Sequence, residues 1–159
     1  KQQPVSVAYP NTPASKSIKA MAEKLAKATG ADLFEIKPQT PYTRADLDWT
    51  NKNSRSSVEM NDKSYRPQIA QLPNSLANYD TIFIGFPIWW YVAPTIINTF
   101  VENVDLDGKK VIPFATSGGS GMGKTLANLK PSCPGANWVE GKVINGMSEK
   151  ALADWAEKL

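Results

Sequence analysis

Trp89, Trp90 and Tyr91 stand in a row, and neighbouring side chains on an extended chain diverge, so the three cannot all point into one core. An aromatic face left at a surface suits a flat heteroaromatic ring through offset stacking, and one of the three is expected to pack instead on residues 37–75. A second segment, Thr116-Ser117-Gly118-Gly119-Ser120-Gly121-Met122-Gly123-Lys124-Thr125, mixes glycines with hydroxyls. Glycines let backbone amides approach a ligand closely, and hydroxyls and amides can hydrogen-bond the polar edge of a ring. A third, residues 10–17, offers the hydroxyls of Thr12, Ser15 and Ser17 and the ammonium of Lys16. Unpaired amides and the positive dipole end of a following helix favour a phosphate there, although Thr12 or Ser15 can equally be a plain N-cap.

Residues 118–125 also satisfy the phosphate-binding pattern G-x-x-x-x-G-K-S/T in full, which makes a nucleotide hydrolase the rival reading. The pattern lacks its partners: Pro131 stops the helix behind it within two turns, and no later strand ends in an aspartate to help hold magnesium. The 159 residues contain no histidine, which removes the Ser-His-Asp and Cys-His arrangements. The lone Cys133 is too little for a zinc site or an internal disulfide and reads as a structural residue in a turn. A net charge of +3, with lysines spread out and no run of basic residues, does not suggest nucleic-acid binding. No apolar run approaches the roughly 20 residues that span a bilayer.

The elements that must position these loops follow from periodicity. Residues 5–9 form a short apolar run ahead of Pro10 and Pro13 and read as a buried strand. Ile18, Met21, Ala22, Leu25 and Ala26 recur at helical spacing until Gly30 closes the segment. Residues 31–36 make a second strand. Residues 37–75 are irregular, with weak helical signals near Ala45 and Ile69, and their Tyr42, Trp49, Val58, Met60 and Tyr65 argue against simple disorder. Within them, Arg55, Glu59 and Arg66 can pair with one another or meet a partner.

Residues 80–86 are nearly all apolar, as in a central strand covered on both faces. Pro94 opens a helix whose apolar face is Ile96, Ile97, Phe100 and Val101. Residues 110–116 and 138–144 are the fourth and fifth strands, and Ser148 caps a last helix bearing Leu152, Trp155, Ala156 and Leu159. Strand and helix alternate five times over residues 1–159, which predicts one α/β domain with a parallel sheet and helices on both faces. Ligands of such sheets bind outside the carboxyl ends of the strands where the strand order reverses, so the loops after strands one, three and four are where chemistry belongs.

With a hydroxyl-rich first loop, aromatics after the third strand and a glycine loop after the fourth, the chain resembles the flavodoxin superfamily, and within it a short bacterial flavodoxin-like family. The motifs that carry the likeness are Gly85-Phe86-Pro87-Ile88-Trp89-Trp90-Tyr91-Val92-Ala93-Pro94 and Phe114-Ala115-Thr116-Ser117-Gly118-Gly119-Ser120-Gly121, supported by Asp32-Leu33-Phe34-Glu35-Ile36 and by residues 54–62. The resemblance implies a flavodoxin-like, doubly wound, five-stranded parallel sheet in the order 2-1-3-4-5, with flavin mononucleotide (FMN) at its edge.

It further implies that Asn11, Thr12, Ser15, Lys16, Ser17 and Ile18 surround the phosphate. Pro87, Ile88, Trp89, Trp90 and Tyr91, together with Thr116, Ser117, Gly118, Gly119 and Gly121, would meet the flavin. The first loop departs from the family's Ser-x-Thr-Gly-Asn-Thr pattern, being longer and carrying Lys16 where a glycine is usual, which adds charge attraction for the phosphate. The implied role is electron carriage between redox partner proteins, with no catalytic side chain and no metal. The alternatives are an FMN-dependent NAD(P)H:quinone reductase with a small quinone-like acceptor, or a scaffold that has lost FMN and serves interaction. A bacterial cytoplasmic location goes with this, or an extracytoplasmic one where a signal or anchor once preceded Lys1.

Overall fold

The computed structural model describes residues 5–12, 16–48, 50–62, 64–73, 76, 78–89, 92–117 and 121–159. Strands β1 (Val5–Pro10), β2 (Asp32–Ile36), β3 (Thr81–Pro87) and β4 (Lys110–Thr116) are mutually parallel and lie in the order β2-β1-β3-β4. Short segments β5 (Asn137–Trp138) and β6 (Lys142–Val143) then both pair with β4. The chain moves from β1 outward to β2 and then crosses to β3 on the other side. This reversal puts the switch point of the sheet, where ligands of such folds bind, at the carboxyl ends of β1 and β3.

Strands β3 and β4 are buried along nearly their whole length because both faces are covered. Along β3, Ile82, Ile84 and Phe86 join one core and Phe83 the other, the two-residue alternation of an extended chain. The first core includes Ile96 and Phe100 of α3 (Thr95–Asn103) and Leu129 of α4 (Thr125–Leu129). The second is filled by α1 (Lys16–Thr29), whose buried residues are Ile18, Met21, Ala22, Leu25 and Ala26, and by Leu152 of α5 (Glu149–Glu157). Gly30, at φ 71°, ends α1 in the left-handed conformation that favours glycine, and Ser148 caps α5 by accepting the Ala151 N–H at 3.1 Å. Gly85 keeps β3 close under a neighbour: a Cβ there would fall 2.2 Å from Cζ of Phe114.

Two expectations need correction. The fifth strand is not continuous over residues 138–144. Carbonyls of Lys109, just before β4, and of Val111 and Ala115 within it accept from Asn137, Val139 and Ile144, so the odd-numbered residues of β4 face β5 and β6. Pro113 faces the same way and has no N–H to give, and the ladder lapses beside it. Gly141 fills the break, where a Cβ would lie 2.3 Å from the Pro113 carbonyl oxygen. Second, the excursion after β2 holds a real helix, α2 (Arg55–Met60), besides a 3₁₀ turn at Ala45–Leu47. Ile69 is not helical; it pairs with Pro38 in an isolated antiparallel bridge. Among the described residues no helix is long and apolar enough to cross a membrane.

Candidate functional site

The ends of β1, β3 and β4 bring together the three segments marked by residue type. After β1 the backbone stays tied to β2 through the Asn11 N–H, which donates to the Ile36 carbonyl at 2.8 Å; Asn11 itself is exposed and Thr12 is buried. Helix α1 begins at Lys16 with no acidic residue in its first turn, so its dipole end and the exposed Lys16 favour an anion there. Ser17 is exposed, whereas the Ile18 side chain is wholly buried in the core and leaves only its backbone to the loop. Ser15, Trp90, Tyr91, Gly118 and Gly119 lie outside the described residues.

Pro87 is buried at the end of β3, and Ile88 and Trp89 are half-buried. The Ile88 N–H donates to the Thr116 carbonyl at 2.9 Å, fixing the aromatic loop against the glycine loop. Trp89 and Val92 exchange two backbone hydrogen bonds of 2.9 and 3.1 Å, so the chain turns back directly after β3. Of the three aromatics only Trp89 is among the described residues, and it meets the excursion: its ring lies edge-on to Tyr42 at 5.7 Å between centroids and 80° between planes. Thr116 is buried, Ser117 is half-buried, and Gly121 is exposed with open space around it.

Two sets of supporting residues had not been assigned to this site. Asn145, just past β6, grips one residue of the glycine loop from both sides. Its Oδ1 accepts the Ser117 N–H at 2.9 Å and its Nδ2 donates to the Ser117 carbonyl at 2.7 Å. The available signal was the Asn145-Gly146 pair at the carboxyl end of a strand, where Gly146 takes φ 69°.

The second set is on α2. Arg55 Nε donates to Glu59 Oε2 at 2.9 Å, and the Tyr42 hydroxyl donates to Glu59 Oε1. Burial first, then this bond to Glu59, holds the Tyr42 hydroxyl well above the ordinary tyrosine range, so it remains a donor. Arg66 does not join that pair. It binds Glu102 of α3 through two hydrogen bonds of 2.8 and 3.1 Å, and chiefly this holds the Glu102 carboxyl below its usual range.

The nucleotide-hydrolase pattern finds no such support. Thr125, whose hydroxyl would have to reach a metal ion, is wholly buried as the first residue of the five-residue α4. No cluster of three or more His, Cys, Asp or Glu that could hold a metal occurs among the described residues. Cys133 is buried and free, and burial raises its thiol.

Comparison with known proteins agrees with this architecture. A solved candidate flavoprotein of Bacteroides eggerthii DSM 20697 is 50% identical and superposes with a TM-score of 0.92, covering 99% of this chain and 98% of its own. A flavoprotein of Lactobacillus acidophilus NCFM solved in complex with FMN shares the fold, with a TM-score of 0.70 at 23% identity over 97% of this chain and 99% of its own. YcaK of Escherichia coli K12, named as an uncharacterized NAD(P)H oxidoreductase, is 31% identical over 87 residues, which are 54% of this chain but 39% of YcaK. The model of the family described as Flavodoxin matches residues 5–159 and so takes in every strand, both cores and all three loops: the chain belongs to the flavodoxin family.

Proposed function

We propose that the protein binds FMN across the carboxyl ends of β1, β3 and β4 and carries electrons between redox partners. The observation that carries this reading is the bond from Ile88 to Thr116, which holds an aromatic loop and a glycine loop in fixed relation at the crevice. Family membership supports FMN as the cofactor, as does the shared fold of the Lactobacillus relative solved with it. The donor set fits the group. Lys16 and the first-turn amides of α1 suit a phosphate, Trp89 offers aromatic surface, and the backbone about Ser117 suits the polar edge of a ring.

When bound, FMN supplies the electron chemistry, and no side chain of the protein has to act as acid, base or nucleophile. The protein's part is to hold the phosphate, cover one region of the ring with Trp89 and keep the glycine loop at a set distance. The visible absorption spectrum of purified protein, before and after addition of FMN, tests this. A yellow protein, or a shifted flavin band on addition, is expected. A colourless protein that leaves the FMN spectrum unchanged overturns the reading in favour of a scaffold that has lost its cofactor.

A cavity of about 620 Å³ favours a second reading, an FMN-dependent NAD(P)H:quinone reductase. Its lining starts where the two loops end, at Val92 and Ala93 on one side and Gly123 and Lys124 on the other, and continues over Thr95 and Asn98. That volume is ample for a small flat acceptor. The oxidoreductase name of YcaK points the same way. Rapid turnover of NAD(P)H with a quinone supports the reductase; slow turnover beside fast exchange with a protein partner supports the carrier.

A further inference from the structure

We infer that Tyr42, Arg55 and Glu59 form a buried support that sets the orientation of Trp89 at the crevice, which makes Tyr42 and Glu59 positioning residues for the cofactor. The inference rests on the FMN reading above. Glu59 is 2% exposed, and a carboxylate so placed costs several kcal/mol unless both oxygens are satisfied. Both are, by two different residues: Oε1 accepts from the Tyr42 hydroxyl and Oε2 from Arg55 Nε at 2.9 Å. An apolar side chain of similar volume is often no less stabilising than a buried ion pair, and the role assigned to this arrangement is one of direction.

The geometry shows what is directed. The Arg55 guanidinium carbon sits 3.7 Å from the Tyr42 ring centroid, on its face, while Glu59 holds the hydroxyl end. Arg55 also donates through a terminal nitrogen to the carbonyls of Thr40 at 2.6 Å and Pro41 at 3.3 Å, fixing the backbone just before Tyr42. The ring of Tyr42 is thus held at its face, its tip and its root. Among the described aromatics it also meets Trp89, edge-on at 5.7 Å. Backbone bonds to Val92 fix where Trp89 starts, and Tyr42 limits which way its side chain lies.

The test is an FMN titration of the apoprotein, followed by flavin fluorescence, with Tyr42→Phe and Glu59→Gln made in the natural chain and again in a Trp89→Leu background. Each substitution is expected to raise Kd about tenfold when Trp89 is present and to change it by less than about twofold when Trp89 is gone. An equal loss in both backgrounds means the cluster merely stabilises the fold, and overturns the inference. Tyr42→Phe keeps the ring and decides the matter where Glu59→Gln does not fold. Failure of the natural protein to bind FMN refutes the functional reading instead. The near-ultraviolet circular dichroism of the apoprotein then decides the positioning: the signal lost in Trp89→Leu must also be lost in Tyr42→Phe, and its survival there overturns the inference.

Discussion

Asn145→Ala should loosen the cofactor while leaving the protein folded. The amide group makes two hydrogen bonds, of 2.7 and 2.9 Å, and both go to the backbone of the single residue Ser117. Each neutral hydrogen bond contributes about 0.5–1.5 kcal/mol net, and these two are solvent-exposed, so together they contribute about 1–2 kcal/mol. In the natural protein that free energy holds the start of the glycine loop in place before any ligand arrives. Without it, the same ordering falls to the binding step, and the Kd for FMN should rise by about 5- to 30-fold.

Fluorescence titration of the apoprotein measures the first quantity, and its melting temperature measures the second. A fall of about 2–8 °C is expected, the size that the same 1–2 kcal/mol gives in a chain of this length. Gly146→Ala supplies the control. Nothing lies near the added Cβ, so the substitution acts through backbone strain at φ 69°, next to Asn145, and is expected to disturb its hold on Ser117. It should weaken binding in the natural chain and add nothing to Asn145→Ala. Unchanged FMN affinity in Asn145→Ala, or full additivity of the two substitutions, refutes the idea that Asn145 preorganises the loop.

Gly85→Ala drives a methyl group into the Phe114 ring in a fully buried strand and should cost about 2–3 kcal/mol in urea unfolding, with Phe114→Leu recovering part of it. Lys16→Ala should raise the FMN Kd by about two- to fivefold at low ionic strength, and the difference should shrink as salt is added. Glu102 is stabilised as the anion chiefly by Arg66, so its contribution is complete above the ordinary glutamate value of 4.5 and is lost as pH falls through the lowered one. The stability of Glu102→Gln, measured by thermal unfolding across that window, should therefore decline less steeply with acid than that of the natural protein. A net charge of +3 opposes the anionic reduced flavin less than the acidic surface of typical electron-carrier flavodoxins does, so redox titration should give a less negative potential for the fully reduced couple than theirs.

What the sequence reveals and what it hides in this chain divides along one line. Helix α1 buries the five residues at helical spacing, and β3 and β4 lie within one residue of their apolar runs, because in each case the signal and the structure share one short segment. The loops after β1, β3 and β4 could be placed at one sheet edge by topology alone. The break between β5 and β6 could not, since its cause is a missing N–H at Pro113 on the adjacent strand. Nor could the grip of Asn145 on a residue 28 positions away, which only the folded sheet brings within reach.

Helix α2 shows the limit most sharply, because its pattern is reversed. Val58 is 49% exposed, whereas Ser56, Ser57 and Glu59 are buried. A hydrophobic pattern therefore assigns its faces backwards. The inversion is tolerable only because Glu59 finds Tyr42, 17 residues earlier in the chain, and because Arg55 spans from Glu59 to the backbone at Thr40. A buried carboxylate is costly in isolation and inexpensive once two fixed donors meet it, and the pairing that decides between those cases is a property of the fold. That same pairing ties α2 through Tyr42 to Trp89, so the segment least legible as structure still reaches an aromatic at the sheet edge.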